Sequence, residues 1–158
     1  MVVICVNNGI YGMTGGQVAP TTPFGLKTVT TPYGNVENTF DICRLGEAAG
    51  ATFVARWTTY HARQVTNTIK KMLQKKGFSL LEVFSQCPVQ FGRRTGIGGT
   101  VKMLEMYRKQ SVRFEKARTM SPEELEGKIV VGEFLNIEKP VLTDEIEKQR
   151  RAVLERLG

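Results

Sequence analysis

Reading the chain for its runs and periods of apolar residues gives an alternation of strands and helices. Val2 to Val6, VVICV, is a short β-branched run, continuous rather than alternating, which predicts one buried parallel strand ending at Asn7. Phe40 to Ala49 places apolar residues at Phe40, Ile42, Cys43, Leu45 and Ala48, which predicts a helix capped by Asn38 or Thr39 and stopped at Gly50. TFVARW, Thr52 to Trp57, reads as a second strand. Tyr60 to Lys76 reads as a second helix closing in a basic turn and Gly77, and Ser79 to Phe84 as a third strand. Such an order predicts an α/β fold: a parallel sheet with flanking helices and right-handed crossovers.

Beyond Cys87 the pattern changes. Gly92 to Gly99 is a basic, glycine-rich loop, Val101 to Arg118 a charged helix, Lys128 to Phe134 a strand or edge segment, and Thr143 to Leu157 a terminal helix. With few apolar positions, this tail is expected to lie against another surface rather than build a core. Pro20 to Pro32, rich in Thr, Pro and Gly, is expected to be an irregular loop, because its prolines forbid a ladder or helix. A loop of that length in a compact domain is either functional or a solvated connection.

Composition narrows the classes. A chain of 158 residues allows one domain burying about two-thirds of its unfolded surface. Met1 leads straight into a strand without a basic leader, so no signal peptide is expected, and the absence of an apolar run of about 18 residues predicts no membrane span. Cysteines 5, 43 and 87 are odd in number and fit neither a zinc pattern nor a disulfide framework, which points to a reducing cytoplasm. The net charge of +7 is scattered among acidic residues without interleaved aromatics, so no nucleic-acid partner is expected.

Candidate chemistry concentrates after the first strand. Asn7, Asn8 and Gly9 deliver amide oxygens to the carboxyl edge of a sheet, where open α/β sheets place ligands, and hard oxygen donors suit Mg²⁺ and phosphate. Gly12 to Gln17 adds three glycines and a threonine, which let backbone N–H groups approach an anion. A plain strand-to-turn exit reads equally from these residue types. Arg56, at the end of the second strand, can hold a carboxylate bidentately or form an internal ion pair. His61, the sole histidine, suits a cap or surface position better than a proton donor. Arg93 and Arg94 can meet phosphates, acidic partner residues or solvent. Cys87 falls at the same sheet edge as Asn8, with Pro88 ending the strand, whereas Cys5 and Cys43 sit on apolar faces as core residues.

The text NNGIYGMTGGQ followed by APTTP, with SQCP at Ser85 to Pro88 and, more weakly, GEF at Gly132 to Phe134, resembles the β subunit of 2-oxoacid:ferredoxin oxidoreductases, and most of all the 2-oxoglutarate members. The resemblance covers the C-terminal half of such a subunit. It implies that residues 1–91 form the C-terminal half of a thiamine-diphosphate-binding domain, and that 92–158 form a basic loop and an extended helical tail packing on that domain or on a partner subunit. It also implies that Asn8, through its side chain, and Ile10, through its carbonyl, hold Mg²⁺. Thr14 would lie beside the cofactor diphosphate, Met13 and Gly15 would face the substrate, and Cys87 would be one ligand of a 4Fe-4S cluster. The loop at Pro20 to Pro32 would cover the cofactor and meet the partner subunit.

The implied activity is oxidative decarboxylation of a 2-oxoacid to an acyl-coenzyme A, with electrons passed to ferredoxin. Implied partners are the α subunit and further subunits of the same oxidoreductase. Some relatives carry a lysine at the position of Gly15, where this chain has no charge. The family's Gly-Asp-Gly, which supplies the acidic Mg²⁺ ligand, and its other cluster cysteines lie further upstream than the six residues before Asn7, so the isolated chain is expected to be inactive. The rival expectation is a non-catalytic α/β binding or assembly module.

Overall fold

The computed structural model describes residues 1–157. Five strands form one sheet: β1 (Val2–Asn7), β2 (Phe53–Thr58), β3 (Ser79–Phe84), β4 (Ser111–Arg113) and β5 (Ile129–Asn136). Their spatial order is β1-β3-β2-β5-β4. β3 lies between β1 and β2, parallel to both, with Asn7 opposite Phe84 and Trp57 opposite Val83. β5 runs antiparallel to β2 and parallel to β4, so the sheet is mostly but not wholly parallel.

The central strands are apolar on both sides because helices cover both faces. Phe53, Ala55, Trp57, Leu81 and Val83 point to one face and enclose Met72 of helix α2 (Ala62–Gln74). Val54 and Leu80 point to the other and pack on Cys43 of helix α1 (Ile42–Ala48). A third cluster, Ile10, Phe91 and Met103, joins the glycine-rich turn to helix α3 (Thr100–Gln110).

Several boundaries differ from the sequence reading for local reasons. Helix α1 starts at Ile42, since the Phe40 N–H is drawn away to the Pro20 carbonyl and the Asp41 carboxylate caps the helix by accepting from the Cys43 and Arg44 N–H groups. The cap is therefore neither Asn38 nor Thr39, and Phe40 and Leu45 are exposed. Tyr60 and His61 belong to a 3₁₀ turn, Thr59–His61, that precedes α2.

The expected helix over Val101 to Arg118 ends at Gln110. Ser111 to Arg113 then pairs with Ile129 to Val131 as β4, and helices α4 (Phe114–Ala117) and α5 (Pro122–Leu125) are single turns. The tail contributes to the core after all. Val131, Tyr107, Met103 and Ala117 are buried, and β5 enters the sheet beside β2. Lys75 and Lys76, just after α2, pair with Glu138 and with Asp144, the latter in helix α6 (Leu142–Leu157), where Leu142, Ile146, Val153 and Leu154 stay exposed. Gly158, the last residue of the expected tail, lies outside the described residues.

Between β3 and α3 the chain makes one π-helical turn, Pro88–Gly92, in which the Gly92 N–H reaches the Cys87 carbonyl at 3.0 Å. Gly92 has no room for a side chain: a Cβ there would lie 2.3 Å from the Gly98 carbonyl oxygen and 2.9 Å from the Met103 sulfur. Gly92→Ala is expected to destabilise the fold by about 1–3 kcal/mol through overpacking, read as a lower urea midpoint. An unchanged midpoint would show that the loop from 92 to 98 yields freely.

Candidate functional site

The carboxyl ends of β1 and β3 are held together by a buried polar network. The Glu82 side chain, 1% exposed, accepts from Asn7 Nδ2 at 2.7 Å and from Arg56 Nε at 2.6 Å. Arg56 Nη2 continues to Asp41 at 2.6 Å, so one guanidinium joins β2, β3 and the cap of α1. Its plane also meets the rings of Phe84 and Phe134, 5.4 and 5.3 Å from the centroids. Of the two roles open to Arg56, the structure forms the internal ion pair. Burial works against its charge, but the facing Cys43, Glu82 and Asp41 more than offset this and hold its pKa up. Asp41, Cys43 and Glu82 bring potential ligand atoms within 4.8 Å of one another, yet Arg56 already takes both carboxylates.

The asparagine pair divides its labour. Asn7 is spent on the scaffold: besides bonding Glu82, its Oδ1 accepts from the Gly9 N–H at 2.9 Å and from the Thr21 hydroxyl at 2.8 Å. Thr22 adds a hydroxyl bond to the Gly9 carbonyl at 2.7 Å, so the Thr-Thr-Pro stretch of the long loop clasps the turn. Asn8 is half-buried and lines an open cleft of about 320 Å³ with Cys5, Ile10, Tyr11, Thr21 and Phe40. Neither its amide nor the Ile10 carbonyl has a hydrogen-bond partner among the described residues. Ile10 itself is buried at 3% exposure, so its backbone is fixed by its own side chain.

Gly12 brings the candidate residues of two segments together. A Cβ at this position would stand 3.2 Å from Asn8 Nδ2 and 3.8 Å from Cys87 Sγ. Cys87 arrives there because β3 ends beside Asn7, with the Ser85 N–H donating to the Asn7 carbonyl at 2.9 Å, and because the π turn begins at Pro88. Its sulfur is half-buried and accepts from the Gln90 N–H at 3.4 Å. In the turn itself the Thr14 hydroxyl donates to Gln17 Oε1 at 2.5 Å, and Gln17 Nε2 returns a bond to the Thr14 carbonyl at 2.7 Å. Met13 is fully exposed, and Gly15 borders open space.

The remaining candidates fall as follows. Cys43 is buried, and burial with the nearby carboxylates pushes its thiol pKa well up despite Arg56. Cys5 is only half-buried on the edge strand and faces the Asn8 cleft rather than the core, with its pKa raised by burial and Glu82. His61 stands at the N-cap position of α2, as expected, but its side chain makes no capping bond: Nδ1 meets the Thr58 hydroxyl at 2.9 Å, and the ring packs on Trp57 and Tyr60. Burial, then Arg113, lowers its pKa. Arg94 reaches Gln90 and the Gly15 carbonyl, while Arg93 is exposed with no partner among the described residues. Sequence reasoning missed Glu82, Asp41, Thr21 and Gln90. A carboxylate inside the apolar strand SLLEVF was the one visible signal for the first of these.

A mostly parallel α/β sheet with a glycine-rich turn at its strand ends is the architecture in which open α/β folds place their ligands, and the chain belongs to the thiamine pyrophosphate enzymes. Residues 1–83 match the C-terminal TPP binding domain of that family. The chain is 55% identical over 148 residues to the 2-oxoglutarate synthase subunit KorB of Methanocaldococcus jannaschii, covering 94% of this chain and 55% of that protein. It is 49% identical over 158 residues to the subunit of the same name from Methanothermobacter thermautotrophicus, covering 97% and 55%. Among solved structures, it superposes with a TM-score of 0.76 and 27% identity on a chain of the 2-oxoglutarate:ferredoxin oxidoreductase from Magnetococcus marinus with 2-oxoglutarate, coenzyme A and succinyl-CoA bound, over 97% of this chain and 53% of that one. The chain thus spans about half the length of the curated relatives it matches.

Two outcomes test the network and the surroundings of His61. Glu82→Gln removes the charge that balances the largely buried Arg56, and is expected to cost about 3–5 kcal/mol in urea unfolding; a loss below about 1 kcal/mol would show that Asp41 suffices alone. His61, the only histidine, has a depressed pKa in the fold, so the unfolded chain takes up its proton first, near the ordinary value of 6.5. Stability is therefore expected to be full above that pH and to fall as pH drops through it. His61→Gln should flatten the slope of melting temperature between pH 7 and 5.5, and an identical slope would refute the assignment.

Proposed function

We propose that this chain is the thiamine-diphosphate-binding part of the β subunit of a 2-oxoacid:ferredoxin oxidoreductase. That enzyme would convert a 2-oxoacid, with 2-oxoglutarate favoured by the names of the relatives, to its acyl-coenzyme A with electron transfer to ferredoxin. The observation that carries the reading is the pairing of Asn8 and Ile10: an amide and a carbonyl two residues apart, neither bonded among the described residues, between buried neighbours and beside an open cleft. Such hard oxygen donors suit Mg²⁺.

In this reading Asn8 and Ile10 hold Mg²⁺ together with an acidic ligand from outside these residues, and Thr14 lies beside the diphosphate. When bound, thiamine diphosphate supplies the carbanion chemistry by which a 2-oxoacid loses carbon dioxide. The chain's own contribution is placement. Asn7, Glu82 and Arg56 keep the strand ends rigid, Thr21 and Thr22 fix the entry to the turn, and Met13 and Gly15 form the wall offered to substrate. Gly12 fits the same picture, since a Cβ there would press on the Asn8 amide at 3.2 Å while coming into ordinary contact with Cys87 at 3.8 Å. Cys87, with its sulfur accepting a backbone N–H, is read as one ligand of a 4Fe-4S cluster whose other thiolates come from outside these residues. The exposed apolar positions of α6, Leu142, Ile146, Val153 and Leu154, suit the α subunit or a further subunit. Coenzyme A and ferredoxin complete the reaction. Among the described residues no helix is long and apolar enough to cross a membrane.

Thiamine diphosphate with Mg²⁺ is expected to raise the melting temperature of the assembled oxidoreductase, since a ligand at 100 times its dissociation constant stabilises by about 2.7 kcal/mol. Asn8→Ala should weaken cofactor binding by roughly tenfold or more while leaving the apo melting temperature in place, because the amide bonds no other protein group. Absence of any shift at millimolar cofactor would favour an assembly module without catalysis.

A further inference from the structure

Helix α6 lies outside the core: from Leu142 to Arg156 none of its residues is buried. An ion pair of Asp144 with Lys76, at 2.7 Å, ties its first turn to the folded body. At about 24 Å it is close to the length below which a helix without packing is marginal in water. Its apolar residues are nonetheless ordered. At helical spacing Leu142, Ile146 and Val153 fall on one stripe with Gln149 among them, and Leu154 widens it; each of the four hydrophobic side chains is more than half exposed.

The charges along the helix say what covers that stripe. Asp144, Glu145 and Glu147 against Lys148 make the first half acidic, and Arg150, Arg151 and Arg156 against Glu155 make the second half basic. An acidic start and a basic end suit the helix dipole, but the dipole leaves the apolar stripe in water. Both features are met by the same helix turned end for end. That pairing sets Ile146 of one copy level with Val153 of the other, brings Gln149 to the symmetry axis, and places Glu145 and Glu147 across from Arg156 and Arg150 of the other copy. A parallel pairing would set acid against acid and base against base. The pairs within the helix, Glu145 with Lys148 and Glu147 with Arg151, are solvent-exposed and hold these charges only weakly.

We propose that α6 is a self-association surface, pairing antiparallel with α6 of a second copy of this chain. The pairing requires no bound cofactor, so it stands apart from the function proposed above. A single helix pair is smaller than a standard protein interface, so the association is reversible and depends on concentration.

Sedimentation equilibrium of the whole chain is expected to show a monomer passing to a dimer as concentration rises. Ile146→Asp with Val153→Asp should weaken the dimer by at least about 100-fold, with the urea midpoint in place because neither side chain packs in the core. A chain carrying Glu145→Lys and Glu147→Lys, and another carrying Arg150→Glu, Arg151→Glu and Arg156→Glu, should each stay monomeric alone and form a heterodimer when mixed. Oxidation of Gln149→Cys should join two copies, in the chain alone and in the assembled oxidoreductase, whereas Leu142→Cys, about 20 Å from its counterpart in the antiparallel pair, should add nothing to the wild-type background. A wild-type chain still monomeric at about 500 μM, a dimer indifferent to the two aspartates, a mixture no more associated than its parts, or a Leu142→Cys bond as fast as that of Gln149→Cys would each overturn the proposal. So would an assembled oxidoreductase in which Gln149→Cys joins no second copy, because the stripe then has another occupant or none.

Discussion

Glu82 stands almost wholly withdrawn from water in the middle strand of three, and the arrangement of everything at the sheet's carboxyl edge depends on how its charge is met. Removing a carboxylate from solvent is costly unless its oxygens are bonded and its charge is paired. Both conditions hold here: Asn7 takes one oxygen from β1 and Arg56 the other from β2. Because Arg56 also binds Asp41, which caps α1, the same ion pair fixes the helix start to the strand ends. Apolar packing brings these strands together, while the polar network sets their relative register at the edge where the chemistry is placed.

The use of Asn7 by this network explains why only the second asparagine of the pair is left for a ligand. Oδ1 of Asn7 is held by Gly9 and Thr21, which forces the chain into a tight turn with Gly9 at a φ of +72°. Asn8 therefore points out of the scaffold, and Ile10 returns to it through the cluster with Phe91 and Met103. A site built this way holds its donors by backbone and buried neighbours rather than by a flexible loop. That is the preorganisation a metal–diphosphate group requires.

The half of the fold that obeys simple periodicity was legible, and the half that depends on distant pairing was not. VVICV, TFVARW and SLLEVF are apolar and β-branched enough to read as strands, with boundaries within a residue or two of the sequence reading, but the first is not buried as expected: β1 lies at the sheet edge with Val2, Ile4 and Val6 exposed. Nothing local in SVR at Ser111 to Arg113 says strand. These residues leave the helix because Ile129 to Val131 offers a ladder. The antiparallel entry of β5 beside β2 is equally invisible, since strand order is decided by surfaces remote in sequence. The text around Asn8 and Cys87 marked both as candidates. The proximity of Cys87 to Gly12, and of Arg94 to Gly15, needed the π turn, which has no distinctive sequence mark beyond Pro88.

That turn also decides how the site can vary. Strand ends held by a buried ion pair tolerate little change, because a substitution at Asn7, Arg56 or Glu82 strands a charge or a donor. From the segment 88–99, Phe91 packs on buried Ile10 and cannot change freely, whereas Gln90 and Arg94 touch the turn only at Gly15 and Gly16, so those two side chains can change without disturbing the donors at Asn8 and Ile10. The rigid strands thus fix the donors at Asn8 and Ile10, while a separate loop supplies side chains that meet the glycine-rich turn. Gly15, open on one side and bonded to a cation on the other, is where those two parts of the structure meet.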